Sequence, residues 1–107
     1  MSFRSEWNEK NELRSLLIFK KLEANNFPRG KQVELCREIE KITSLSTGNI
    51  SAKVSNYKSI AGINNSSNAS ENTKKIYKNF KDFSISQLEK VIDSYNDWNF
   101  KEKKTLN

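Results

Sequence analysis

Apolar residues recur along this chain at helical spacing, and helix is the dominant signal. From Glu6 to Asn25, the residues Leu13, Leu16, Leu17, Phe19 and Leu22 form a broad apolar face, with Trp7 at its N-terminal end. Ser5 reads as the N-cap, and Glu6 and Glu9 suit the positive end of the helix dipole. The segment Asn25-Asn26-Phe27-Pro28-Arg29-Gly30 must turn, because Pro28 cannot continue a helix and Gly30 permits unusual dihedrals. A second helix is predicted over Lys31–Thr43, with Val33, Leu35, Cys36, Ile39 and Ile42 as its apolar stripe. After a break at Ser44–Gly48, a third runs from Asn49 to Ser59, with Ile50, Val54 and Tyr57 at i, i+4, i+7.

Residues Ile60–Ala69 hold Gly62, three Asn and two Ser, and read as a loop. Ser70-Glu71 then opens a fourth helix reaching about Phe83, with Ile76, Tyr77, Phe80 and Phe83 inward. Ser84 and Gln87 have capping-box spacing. They start a fifth helix whose inner face is Leu88, Val91, Ile92, Tyr95 and Trp98. No segment alternates as a strand does, so the expected fold is all-α with about five helices. The first three form a helix-turn-helix-like trihelical arrangement, and two more helices pack on it. One helical domain over 1–100 and a frayed basic tail over 101–107 are expected.

Composition narrows the chemistry. Hydrophobic residues make up 35% of 107 residues, and eleven of them are aromatic, enough for one small core. The chain has no His, which excludes His acid–base catalysis and His metal sites. Its single cysteine, Cys36, sits in an apolar stripe and reads as a small buried hydrophobe. Neither an internal disulfide nor a thiolate zinc site can be built from it. The longest apolar run, Leu16-Leu17-Ile18-Phe19, is far short of a membrane span, and no apolar leader stands at the N-terminus. A cytoplasmic protein without cofactor or metal is the expectation. Glu6, Glu34, Glu38 and Glu40 each lie at helical spacing from a Lys or Arg, and with Glu9 and Glu12 they read as surface residues. Glu34 and Glu38 share a face but lack a third ligand for a metal. An enzyme is therefore not expected.

Charge adds the functional lead. The net charge is +6, and its excess is concentrated: residues 43–81 hold six basic side chains and one acidic, Glu71. A one-signed stretch inside a folded domain suits a phosphate-contacting surface. In the trihelical arrangement the third helix is the one that enters a major groove. Its polar side carries Ser51, Lys53, Ser55, Asn56 and Lys58, residue types that contact phosphates or base edges. Lys74, Lys75, Lys78 and Lys81 of the fourth helix would clamp phosphates if that helix lies beside the third. Double-stranded DNA is the expected partner. The alternative is a protein-interaction module or homodimer through helix five and Tyr95, Trp98 and Phe100, three aromatics in six residues.

The stretch Thr47-Gly48-Asn49-Ile50-Ser51-Ala52-Lys53-Val54-Ser55-Asn56-Tyr57-Lys58-Ser59-Ile60 resembles a helical domain found ahead of HNH nuclease domains in bacterial restriction-type endonucleases. The shared pattern is a hydroxyl- or Gly-containing turn, an aliphatic residue, then Lys-aliphatic-x-Asn-aromatic. A second helix follows with a Ser start and an aliphatic-aromatic pair, matched by Ala69-Ser70, Ile76-Tyr77 and Phe80, and Trp7 matches an upstream Trp-containing helix. The resemblance implies an all-helical, DNA-binding domain that targets an attached nuclease. No HNH motif follows here, Ala61-Gly62 replaces a frequent Asp-Pro, Leu45-Ser46-Thr47 lacks a common Arg, and Tyr77 replaces a frequent Trp. The implied protein is a standalone accessory domain, carried on a mobile element.

Overall fold

Five α-helices and no strand form the described part of the chain: α1 (Glu9–Ala24), α2 (Lys31–Glu40), α3 (Thr47–Ile60), α4 (Glu71–Phe80) and α5 (Ile85–Leu106). The structure is a computed structural model that describes residues 7–63 and 69–106, with side chains described over 7–63 and 69–95. Asn8 caps α1, its side chain accepting from the Asn11 N–H at 2.9 Å. The helix therefore starts at Glu9 and leaves Trp7 before it, whereas the expected cap, Ser5, lies outside the described residues.

Helix α1 is the centre of the fold. Asn11, Glu12, Leu13, Ser15, Leu16, Ile18, Phe19 and Leu22 are all buried, covering most of its circumference. A helix enclosed on so many sides must have neighbours on each, and α2, α3, α4 and α5 all pack against it. Its C-terminal turn brings Phe27 back onto Phe19, with ring centroids 6.1 Å apart. Asn26 and Phe27 reach this position with φ of 62° and 52°, in the left-handed region. Phe27 has no intrinsic preference for it, so the ring's burial must offset the backbone cost.

Helix α2 departs from the expected stripe. It ends at Glu40, and only Cys36 is fully buried, while Leu35 and Ile39 are half-buried. Val33 is 42% exposed and Ile42, beyond the helix end, is 61% exposed. The reason is geometric: residues two apart on a helix point to opposite sides, so Val33 cannot share a face with Leu35. Helix α3 begins two residues earlier than predicted. Ser46 caps it by accepting from the Asn49 N–H at 3.1 Å, so Thr47 and Gly48 belong to the first turn and not to the break. Ile50, Val54 and Tyr57 are fully buried against α1, α2 and α4, as their spacing predicts.

Ser70 caps α4 through the Thr73 N–H at 3.1 Å, and Thr73 and Ile76 are buried. The helix stops at Phe80, three residues short of the predicted end, and Phe83 folds back to meet Phe80 edge-on at 4.9 Å. The capping box forms as its spacing predicts: Ser84 Oγ accepts from the Gln87 N–H at 3.1 Å, and Gln87 Oε1 accepts from the Ser84 N–H at 2.8 Å. Leu88 and Ile92 bury α5 against α1. This helix continues to Leu106.

Candidate functional site

The nine side chains expected to meet DNA divide by helix. The five on α3 are half-buried. Lys53 shows it most clearly: its side chain is only 12% exposed and forms an ion pair with Glu12 at 3.0 Å. The same ammonium donates to Thr73 Oγ1 at 2.9 Å and lies 4.6 Å from the centre of the Trp7 ring. Each of its three N–H donors thus has an acceptor or a π-face within reach. Placing Lys53 on an exposed reading face was incorrect: it points at the buried carboxylate of α1.

That carboxylate organises a polar network between α1, α3 and α4. Glu12 is 2% exposed. Its Oε1 accepts from the Tyr57 hydroxyl at 2.8 Å, and both oxygens lie 3.2 Å from Thr73 Oγ1. Ser70 Oγ, 3.0 Å from Thr73 Oγ1, completes the set. Burial pushes the Tyr57 phenol far above its ordinary range, and the neighbouring Glu12 charge and hydrogen bond push it further. A buried charge held this way has a countercharge and hydrogen bonds to offset its desolvation.

On the other flank of α3, Gln32 of α2 reaches across. Its side-chain N–H₂ donates to Ser51 Oγ at 2.8 Å, to the Ser51 carbonyl at 3.2 Å and to Ser55 Oγ at 3.4 Å. Lys58 lies over the Phe27 ring, 5.4 Å from its centre. Asn56 is half-buried and itself has an interaction partner. The outward strip of α3 is therefore Gly48, Asn49 and Ala52, all exposed and uncharged.

Helix α4 presents the opposite picture. Lys74, Lys75, Lys78 and Lys81 are all exposed. Lys74 faces Glu71 at 3.6 Å across a solvated i,i+3 pair, which contributes little. Among the described residues, Lys75, Lys78 and Lys81 have no carboxylate within ion-pair distance. Glu71, Asn72, Lys74, Lys75 and Lys78 line a shallow, open groove. Helix α4 does lie beside α3, joined by the Lys53–Thr73 contact and by the Tyr57 and Tyr77 rings at 6.3 Å.

Glu12 was expected on the surface, and its burial is a second correction. The signal was present: Glu12, Leu16 and Phe19 are spaced i, i+4, i+7, so Glu12 belongs to an apolar face. Thr73 likewise shares a face with Ile76, Tyr77 and Phe80. Gln32 carries no such signal, because its role depends on how α2 crosses α3. Cys36 is fully buried, and burial pushes its thiol up to about 11. Tyr95 is half-buried, and burial, with Glu9 of α1 close by, pushes its phenol up to about 12. The side chains of Trp98 and Phe100, the rest of the expected dimer patch, lie outside those described. Among the described residues there is no cluster of three metal-ligating side chains, and no helix is long and apolar enough to cross a membrane.

The fold is thus an all-α bundle with one lysine-rich outer face. Comparisons with known protein families, curated proteins and solved structures give no match.

Proposed function

We propose that this protein binds double-stranded DNA without catalysing a reaction, and that α4 is its principal contact surface. The observation that carries this reading is the row Lys74, Lys75, Lys78 and Lys81, exposed along one outer face, with three of the four free of any carboxylate partner among the described residues. A row of like charges on one exposed helix face, with so few carboxylates opposing it, matches a line of phosphates. The helix-turn-helix reading of α1–α3 and the kinship with HNH-associated domains belong to the same proposal. They are supported by the packing of α1, α2 and α3 on one another and by the stretch Thr47–Ile60.

Fluorescence anisotropy with a 20-base-pair duplex tests the proposal. If all four lysines meet phosphates, log affinity falls with log salt at a slope of about −3.6. Replacing Lys75, Lys78 and Lys81 with Gln reduces that slope by about 1 per residue. An unchanged slope in the triple variant would remove α4 from the interface.

A further inference from the structure

Resting on that reading, we propose a narrower ligand class: duplex DNA gripped by its phosphate backbone alone, with no readout of base sequence and no stacking on unpaired bases. Three observations converge on it.

The first is the state of α3. Ser51 and Ser55 are held by Gln32, Lys53 by Glu12 and Thr73, Lys58 lies over Phe27, and Asn56 is partnered. Each of the five α3 side chains expected to meet DNA thus has a contact within the protein, and Lys53, the most covered, is held by an ion pair. Base readout needs donors and acceptors free to form bidentate pairs in the groove. Extracting Lys53 would strand the Glu12 carboxylate in the core. Asn49 alone remains exposed, in the first turn, beside Gly48 and Ala52.

The second is the geometry of α4. A helix rises 1.5 Å per residue, so Lys74 to Lys81 spans about 10 Å of axis. Phosphates of one DNA strand rise about 3.4 Å each along the duplex axis while winding around it, so a row of this length is on the scale of a few neighbouring phosphates. Contacts of this kind fix position without carrying sequence information.

The third concerns single strands. Binding unpaired nucleic acid without sequence preference relies on exposed aromatic platforms. Among the described side chains, the exposed large hydrophobics are Val33, Ile42 and Ile63, none aromatic. Trp7, Phe27, Tyr77, Phe80, Phe83 and Tyr95 are all at least half-buried.

The test uses the full chain and four 20-mers: an A·T-rich duplex, a G·C-rich duplex, a mixed duplex, and one strand of the mixed duplex. The three duplexes are expected to bind within about threefold of one another, and the single strand at least fivefold more weakly. Asn49→Ala should match the unsubstituted protein on all four, while Lys75→Gln/Lys78→Gln weakens every duplex by the same factor. A tenfold preference for one duplex, or a loss confined to one sequence in Asn49→Ala, overturns the inference and leaves DNA binding standing. Single-strand binding equal to or tighter than duplex binding overturns it in the same way. Absence of salt-dependent binding to any of the four removes the parent reading with it.

Discussion

Replacing Lys53 with Met tests the network that joins α1, α3 and α4. Methionine keeps the length and apolar stem of lysine, so packing against Trp7 is largely preserved and the change isolates the charge. In the native protein the Glu12 carboxylate, 2% exposed, faces the ammonium at 3.0 Å and also accepts from Tyr57 at 2.8 Å. After the substitution the two hydroxyls remain, but the countercharge is gone. Removing one partner of a buried pair typically costs about 3–5 kcal/mol. The Lys53 side chain retains 12% exposure, which admits some water and places the expectation near the lower bound, about 3 kcal/mol. That is a large share of the roughly 5–15 kcal/mol available to a small domain. It corresponds to a drop in melting temperature of roughly 12–24 °C for a domain of this size. Urea denaturation monitored by far-UV circular dichroism reads the change directly. The companion Glu12→Leu/Lys53→Met removes both charges and should be more stable than Lys53→Met alone. A loss below about 1 kcal/mol in the single variant, or a double variant as unstable as the sum of the two single losses, would refute the reasoning.

The tyrosines give a pH signature. All three are raised, Tyr57 far above its ordinary value and Tyr95 to about 12, with burial the first cause in each. Because the unfolded phenol ionises near 10 and the folded one later, stability is unaffected below pH ~10 and falls as pH rises beyond it. Absorbance at 295 nm should therefore show little native tyrosine ionisation at pH 10.5, and full ionisation at that pH in the folded state would contradict the burial of Tyr57. Cys36 should react with a thiol reagent in the native protein far more slowly than a free thiol, since burial both covers it and pushes its thiol up to about 11. Native labelling at the rate of the urea-unfolded chain would place Cys36 outside the core.

The five-helix architecture was legible because each helix carries its own local signals. Ile50, Val54 and Tyr57 show a clean helical period, and Ser84 with Gln87 forms a cap that needs no tertiary context. Boundaries were harder to read. Asn8 and Ser46 compete with neighbouring polar residues as caps, and nothing local decides between them. The apolar residues of α2 do not form one stripe, because Val33 and Leu35, two residues apart, point to different sides of the helix. The candidate site divided for a deeper reason. Lysines on α4 are exposed wherever the helix packs, since its inner face is filled by Thr73, Ile76, Tyr77 and Phe80. Lys53 had two possible surroundings, and its choice depended on a glutamate 41 residues away. A single polar residue on an apolar face is the mark of such a partner, and Glu12 and Thr73 both bear it.

The distances along the chain between members of that network have a kinetic consequence. Glu12 meets Lys53 across 41 residues, Tyr57 across 45 and Thr73 across 61. Contacts so remote in sequence form only after most of the chain has been drawn together, with the loop-closure entropy already lost. Lys53 and Tyr57 arrive together on α3, so Glu12 gains its countercharge when α3 docks on α1, and the Thr73 hydroxyl is added as α4 arrives. Docking of α4 thus completes a site already neutralised: an α4 one turn out of register would cost Glu12 the Thr73 hydroxyl and leave Lys53 with one acceptor fewer.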